Sequence, residues 1–328
     1  MIDTAQLRHL IAMPPTIGLS ALGFHSVPYH SSSFKTIWVK NALRGTTSQP
    51  RLTWSQTNCG DWLSVEASFP RLLYGRNTIC LREDEILVAL NELSAFVTQA
   101  VGVEFDAATA LVGRVDYFVD FLVGEANLER YLAAAATATL SRFDRHTINT
   151  SVLFRNKSKQ ISVYDKRCEI LNHQDKNQLN PVMLEEAKGM LRLEVRHKIS
   201  DACQRLKVKY GLSNRTALDL FTGAIAFQEL SDALFDLGMD REILKYDSRI
   251  DALRDCYGDT ATFRRLAGFI TLLEHYGENF WRNGYGGYSR TMYYEQMRMV
   301  KRANAWLRSV MALPPLHLSE AAFSRLAV

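Results

Sequence analysis

Three stretches of the chain alternate between hydrophobic and polar residues, namely 114–120, 160–166 and 190–196. Side chains two apart in a β-strand point to the same face, so each stretch predicts a strand with one hydrophobic face. The opposite faces carry charged groups and a phenol, which are Arg114, Asp116, Asp120, Tyr164, Lys166, Arg192, Glu194 and Arg196. If the three strands pair in one sheet, these side chains converge on one surface.

The rest of the chain up to about residue 200 mixes strand and helix patterns. Two stretches alternate like pairs of strands around a turn, and three others favour helix. These are strands over 51–69 and 150–166, and helices over 83–101, 127–140 and 181–188. Residues 1–50 are poorly patterned. The predicted fold class is therefore α+β, with a mainly antiparallel sheet flanked by helices.

Beyond His197 the pattern becomes helical. Helices are predicted over 201–209, 215–237, 248–257, 260–276 and 289–313, with glycines between several of them. Thr260 and Ser289 each precede a helical run and predict N-terminal caps. A chain of 328 residues exceeds the usual size of a single core, so two domains are expected. We predict an α+β domain over 1–205 and an all-helical domain over 206–328.

Composition indicates the class of protein to which this chain belongs and the compartment in which it is expected to work. Hydrophobic residues make up 47% and charged residues 23% of the chain, as in soluble globular proteins. No run of 18 or more apolar residues predicts a membrane helix, and the first residues do not resemble a signal peptide. The five cysteines are scattered without a C-x-x-C pair, which argues against structural zinc and fits a reducing cytoplasm.

Positive charge is concentrated in two segments, although the formal net charge is only +4. Residues 141–167 carry seven basic and two acidic residues, and residues 278–308 carry six basic and two acidic residues among several aromatic ones. Basic residues interleaved with rings are typical of a nucleic-acid surface. We expect duplex DNA to contact four residues of the last helix, namely Arg290, Arg298, Lys301 and Arg302. The alternative is that the rings belong to a core and the arginines face solvent.

The charged surface of the three alternating strands has a complementary chemistry. Two carboxylates, Asp116 and Glu194, can hold a divalent metal, and Tyr164 can act as a nucleophile. The basic groups of the same surface can hold phosphate. This is the equipment of an enzyme that nicks DNA. The alternative is an ordinary solvated face, because antiparallel sheets commonly expose one face to water.

Four short motifs, in this order, resemble the replication initiators of filamentous bacteriophages, the gene II proteins. The motifs are Ser-x-Pro-x-x-Leu-x-Gly-x-Asn at 68–77, Arg-Val-Asp at 114–116, Val-Tyr-Asp-Lys at 163–166 and Leu-Arg-Leu-Glu-Val-Arg at 191–196. The rolling-circle initiators of small staphylococcal plasmids are similar more distantly. The order and rough spacing of the motifs match along most of the chain.

The resemblance implies a site-specific, metal-dependent endonuclease and strand transferase that starts rolling-circle replication. Its catalytic tyrosine falls on Tyr164, its metal-binding acids fall on Asp116 and Glu194, and the metal is Mg²⁺ or Mn²⁺. Lys166 would stabilise the phenolate or the phosphate, and Arg114, Arg192 and Arg196 would hold phosphate. The expected partners are origin DNA, duplex and single-stranded, with a host helicase and polymerase in the bacterial cytoplasm.

The chain departs from the wider group of rolling-circle nickases, which place a His-apolar-His metal motif ahead of the tyrosine. No such motif occurs here, and His197 falls on the hydrophobic face of its strand, as a core histidine does. A carboxylate-based metal site is therefore expected. Asp120 is a weaker candidate ligand, since it lies about 13 Å along the strand from Asp116 at roughly 3.3 Å per residue.

Two other functions remain open from the sequence. The chain could be a metal-dependent phosphodiester hydrolase that uses water, with Tyr164 structural, or a DNA-binding regulator without chemistry. A serine hydrolase is disfavoured because no Gly-x-Ser-x-Gly motif is present. A P-loop is also absent, so unwinding of DNA would require a separate helicase.

Overall fold

A computed structural model describes residues 1–11, 18–27, 34–40, 49–57, 60–148, 150–173, 180–240, 243–244, 249–258, 260–277, 280–283, 287–307 and 312–318. These residues form an α+β fold built around a large antiparallel sheet, which confirms the predicted class at that level. No helix in the described ranges is long and apolar enough to cross a membrane.

The sheet has ten strands in the described residues, and their order differs from their order in the chain. The strands are β1 (Ile2–Ile11), β2 (His25–Val27), β3 (Phe34–Lys40), β4 (Arg51–Thr57), β5 (Gly60–Ser68), β6 (Leu111–Leu122), β7 (Asp144–Ile148), β8 (Ser151–Arg155), β9 (Lys159–Asp165) and β10 (Met190–His197). They lie in the order β2-β3-β4-β5-β1-β6-β10-β9-β8-β7, each antiparallel to its neighbours. The two predicted strand pairs are confirmed as β4–β5 and β8–β9.

The first strand was not predicted, yet it lies near the middle of the sheet. β1 pairs with β5 on one side and with β6 on the other. Ala5 and Leu7 are fully buried, as expected for alternate positions of a central strand. A register shift between Ile2 and Ala5 interrupts the alternation, which explains why the pattern of this segment is weak.

Helices pack against the sheet and continue beyond it in the chain. They are α1 (Phe69–Tyr74), α2 (Glu83–Val101), α3 (Glu125–Thr137), α4 (Lys166–His173), α5 (Pro181–Glu186), α6 (Ser200–Lys209), α7 (Ala217–Leu220), α8 (Gly223–Leu237), α9 (Arg249–Tyr257), α10 (Ala261–Tyr276) and α11 (Arg290–Leu307). The predicted helix over 83–101 is confirmed as α2. Thr260 and Ser289 accept hydrogen bonds from backbone amides three residues on, so both predicted caps are present.

The packing differs from the predicted division at residue 205. That position lies inside α6, and α6, α7 and α8 share the hydrophobic core of the sheet through residues such as Leu206, Leu220 and Leu230. A separate core is formed by α9, α10 and α11, centred on Phe269 and Phe280. The C-terminal region also contains a short antiparallel pair, β11 (Ile243–Leu244) with β12 (Ala312–Leu313), so helices are not its only regular structure.

Candidate active site

The three alternating strands lie side by side, with β10 between β6 and β9. In the register of the sheet Arg192 is opposite both Asp120 and Tyr164, and Arg196 is opposite Asp116. Directly paired residues point to the same face, so the predicted reactive side chains share one surface. The opposite face carries buried residues such as Val115, Val163 and Leu193, which confirms the predicted alternation.

Tyr164 and Glu194 meet on neighbouring strands of this surface. The Tyr164 hydroxyl donates a hydrogen bond of 3.2 Å to Oε2 of Glu194. Burial raises the pKa of Tyr164 well above its usual value, and the negative charge of Glu194 raises it further. The phenol is therefore protonated at neutral pH, and it needs a proton acceptor to react as a nucleophile. Glu194 is the group in contact with that proton.

Lys166 lies beside the same tyrosine. Its Nζ is 5.9 Å from the centre of the Tyr164 ring and 2.7 Å from Oε2 of Glu169. The side chain is fully buried, and burial lowers its pKa while Arg192 lowers it further. Glu169, three residues further along α4, is the ion-pair partner of Lys166.

Asp116 is held by two arginines. Arg114 donates from Nε to Oδ1 at 2.9 Å and from Nη2 to Oδ2 at 2.5 Å. Arg196 donates from Nε to Oδ2 of Asp116 at 2.9 Å and from Nη2 to Oε1 of Glu194 at 2.8 Å. One guanidinium thus bridges the two predicted metal-binding carboxylates. We call Arg114, Asp116, Tyr164, Glu194 and Arg196 the Tyr164 cluster.

Both carboxylates of the Tyr164 cluster are buried, and burial destabilises their charged forms. Burial raises the pKa of Asp116, and this effect outweighs the lowering by Arg114 and Arg196. Burial also raises the pKa of Glu194, and the charge of Asp116 raises it further. Two buried carboxylates that repel each other are stabilised by a cation between them. In this structure the guanidinium of Arg196 supplies that positive charge.

Asp116 and Glu194 are the two carboxylates that would hold the predicted divalent ion. In the described part of the chain, no group of three or more His, Cys, Asp or Glu side chains is placed to hold a metal. Mg²⁺ commonly binds through one or two carboxylates and completes its shell with water and substrate phosphate. Asp116 and Glu194 can supply two ligands of this kind. The side chain of Arg196, which pairs with both carboxylates, is 30% exposed.

Arg192 is placed differently from the other predicted phosphate-binding arginines. It is fully buried, with its guanidinium 4.1 Å from the ring of Phe118. Nε and Nη2 donate to the two oxygens of Asp120 at 2.7 Å each, and Nη2 also donates to the carbonyl of Asn77 at 2.6 Å. These bonds hold β10 against β6. Contact between Arg192 and phosphate stays a prediction, and Asp120 is occupied by this arginine.

The motif at 68–77 reaches the same surface from α1. The Ser68 hydroxyl donates to Oδ1 of Asp3 at 3.0 Å, and Oδ2 of Asp3 lies 4.0 Å from Nη1 of Arg192. The carbonyl of Asn77 accepts from Arg192, as described above, and Arg76 pairs with Glu186 of α5 at 3.1 Å. Asp3 was not predicted as a site residue, because the alternation of residues in this first strand is weak.

His197 lies on the opposite face of β10, as predicted for a core histidine. Its Nε2 is 3.0 Å from Oε2 of Glu229 on α8, and burial lowers the pKa of the imidazole. Glu229 also accepts hydrogen bonds from Lys159 at 2.9 Å, Lys209 at 2.6 Å and the Tyr210 hydroxyl at 2.8 Å. This buried carboxylate joins β9, β10 and α6 to α8, and it has a structural role.

The predicted DNA-contacting residues of α11 form an exposed stripe. Arg290, Arg298 and Lys301 are exposed, and Tyr294 between them is 53% exposed with Arg290 5.8 Å from its ring. The side chain of Arg302 lies outside the described residues. Tyr293 and Phe280 are buried in the core of the C-terminal helices. Some of the aromatic residues that suggested a nucleic-acid surface are therefore core residues.

Comparison with known proteins gives this chain no relative. No family model, curated protein or solved structure matches it. The resemblance to the initiators of filamentous bacteriophages therefore stays an expectation that four short motifs carry.

Proposed function

We propose that this chain is a rolling-circle replication initiator that nicks origin DNA and transfers the strand through a covalent 5′-phosphotyrosine. The observation that supports this function best is the contact between Tyr164 on β9 and Glu194 on β10, with Asp116 on β6 at the other side of β10. A phenol, two carboxylates and several cations on adjacent strands suit a phosphoryl transfer better than an ordinary solvated face, because most of them are buried.

In the proposed reaction the Tyr164 oxygen attacks a backbone phosphorus, and the proton of the phenol passes to Glu194. The bond from Oη to phosphorus forms, the bond from phosphorus to the 3′ oxygen breaks, and the 3′ oxygen leaves as a hydroxyl after taking the proton that Glu194 received. Lys166, beside the ring, stabilises the developing phenolate. Asp116 and Glu194 would hold Mg²⁺ or Mn²⁺, which supplies charge stabilisation at the scissile phosphate. Arg114 and Arg196, both partly exposed, would hold phosphate once released from the carboxylates.

In this proposal the C-terminal helices bind duplex origin DNA through the stripe on α11, while the sheet acts on the single strand. The freed 3′ hydroxyl primes synthesis by a host polymerase, and a host helicase unwinds the duplex. The protein would work in the cytoplasm of a bacterial host.

A second candidate function is that of a DNA-binding protein without chemistry. The observation that favours it is the ion-pair network, because Arg114 and Arg196 already satisfy both oxygens of Asp116. A buried network of this kind can serve specificity of folding alone. The two candidates differ in one measurable respect, which is the covalent link to DNA.

The test uses a pool of single-stranded oligonucleotides with randomised sequence, each labelled at its 3′ end. Wild-type protein incubated with Mn²⁺ should carry the label through a denaturing gel, because the fragment bonded through its 5′ phosphate keeps the 3′ label. Tyr164→Phe should abolish this adduct. The matched control is Tyr117→Phe, because Tyr117 is buried on the opposite face and donates to the carbonyl of Leu220 at 2.9 Å. An adduct that persists in Tyr164→Phe moves the role to another tyrosine, and no adduct with wild type rejects the nicking function.

A further inference from the structure

A cavity of about 640 Å³ lies where edge strand β7 meets the end of α10. Its wall combines the segment that enters β7 with the last turn of α10, including Arg142, Phe143, Arg145, Thr147, His275 and Tyr276. In the register of the sheet Arg145 is opposite Phe154, which is opposite Ile161. Directly paired residues point to the same face, and Ile161 lies on the hydrophobic face of β9. The cavity is therefore on the hydrophobic face of the sheet, whereas Tyr164 is on the opposite face.

Arg145 is held in place at the cavity by backbone carbonyls. Its Nη1 donates to the carbonyls of Ala136 at 2.6 Å and Ala138 at 3.3 Å, near the end of α3. Neither Arg145 nor Arg142 has an ion-pair partner among the described residues, although Asp144 also lines the wall. A guanidinium fixed through one nitrogen has other donors left, and they are ordered without further entropic cost. This arrangement differs from the Tyr164 cluster, where every arginine is paired with a carboxylate.

Arg142 adopts an unusual backbone conformation in the wall of the cavity. Its φ is +68°, and it is the one non-glycine residue with positive φ in the described part of the chain. The left-handed region costs an ordinary residue about 1–2 kcal/mol, and glycine adopts it freely. A residue kept in a costly conformation, at a position where glycine would fit better, points to a role for its side chain.

Aromatic side chains complete the wall. The rings of His275 and Tyr276 meet edge to face with their centres 4.4 Å apart, and Tyr276 is 46% exposed. Phe143 is partly buried on the other side. Cations for phosphate and rings for bases are the combination that binds single-stranded nucleic acid. The volume lies within the range of about 300–1,000 Å³ that is typical of small-ligand sites.

We propose that this cavity binds a phosphodiester segment of single-stranded DNA, one or two nucleotides long, as a site separate from the Tyr164 cluster. The choice of DNA rests on the proposed function, whereas the phosphate-and-base chemistry rests on the cavity itself. A strand bound between the sheet and α10 would be anchored by Arg142 and Arg145 and stacked on Tyr276.

The test measures fluorescence anisotropy of a labelled oligo-dT at several salt concentrations, with full-length protein and without metal. The key variant is Arg142→Gly, which removes a cation and also relieves the backbone strain. We expect its thermal midpoint to be equal to or higher than that of wild type, while its affinity for the oligonucleotide falls several-fold. Loss of one phosphate contact should reduce the slope of log K against log salt by about 0.7 for a single strand. Arg145→Gln should reduce the slope by a similar amount.

The matched control is Arg205→Gln, which removes one exposed positive charge from α6 and does not line the cavity. The proposal is overturned if Arg142→Gly and Arg205→Gln bind the oligonucleotide with the same affinity and slope. It is also overturned if free dTMP competes as strongly as the oligonucleotide, because the site would then belong to a mononucleotide. Weaker binding by Arg142→Gly in a protein that forms no covalent adduct supports this site and rejects the nicking function. A normal covalent adduct together with unchanged oligonucleotide binding by Arg142→Gly supports the nicking function and rejects this site.

Discussion

Replacing Arg196 by glutamine should increase the affinity of this protein for Mn²⁺. In the structure the Arg196 guanidinium is 2.9 Å from Oδ2 of Asp116 and 2.8 Å from Oε1 of Glu194. It therefore occupies the position of a cation between the two carboxylates proposed as metal ligands. Glutamine removes the positive charge and frees the carboxylate oxygens for an ion.

The size of the effect follows from the charge and its exposure. A unit charge about 5 Å from a divalent ion contributes about 7 kcal/mol at an effective dielectric constant of 20. The side chain of Arg196 is 30% exposed, so screening by solvent should reduce this figure to about 1–2 kcal/mol. The expected gain in Mn²⁺ affinity is therefore about 5- to 30-fold, since 1.4 kcal/mol corresponds to a factor of ten. The measurement belongs at pH 8, because the raised pKa of each carboxylate lets protons compete with the metal at lower pH.

The assay is titration of Mn²⁺ followed by the electron paramagnetic resonance signal of the free ion, without DNA. Arg167→Gln is the matched control, because Arg167 pairs with the exposed Glu125 at 3.0 Å and does not contact the Tyr164 cluster. Adding Glu194→Gln to Arg196→Gln should remove the gain. Equal Mn²⁺ affinity in Arg196→Gln and Arg167→Gln would refute the reasoning, because the two carboxylates would then not form the metal site.

Two further predictions concern stability and duplex binding. Burial alone would raise the pKa of Glu229, but bonds from His197 and the lysines hold it far below its usual range. Glu229→Gln should therefore lower the free energy of unfolding by about 3–5 kcal/mol near pH 7 in urea titrations. Because the pKa of Glu229 is lower in the folded protein than its unfolded value of about 4.3, the charged carboxylate stabilises wild type above that pH. The difference in unfolding free energy between wild type and Glu229→Gln should therefore shrink as the pH falls below about 4. A difference that stays constant with pH would contradict this account. Replacing Arg298 and Lys301 by glutamine should weaken duplex binding and reduce its salt slope by about 0.9 per lost phosphate contact, with the oligonucleotide adduct retained; an unchanged slope would remove both residues from the DNA interface.

Several local features were predictable from the sequence because their causes lie within a few residues. The alternation around Tyr164 and Glu194 places their side chains on one face of each strand, whatever the strands pair with. The hydrophobic spacing of α2 and the hydroxyl caps at Thr260 and Ser289 depend on neighbouring residues in the same way. The candidate nucleophile and carboxylates could therefore be named before the fold was known.

Strand pairing could not be predicted from the sequence, because register is set by contacts between residues distant in the chain. Arg192 has the same alternating position as Arg196, but only the sheet shows that Asp120 lies opposite Arg192 and buries it against Phe118. Asp3 joined the site in the same way, since β1 inserts between β5 and β6.

Domain packing was likewise decided by tertiary structure. The pattern after His197 predicted helices, but a helix pattern does not say which core its hydrophobic face joins. Leu206 and Leu230 pack under the sheet, whereas Leu266 packs in the separate core of α9, α10 and α11. The sequence by itself determined which side chains share the polar face of each strand, because side-chain direction follows from local backbone periodicity. Only the tertiary structure decided which of them meet, because hydrogen bonds between distant strands bring them together.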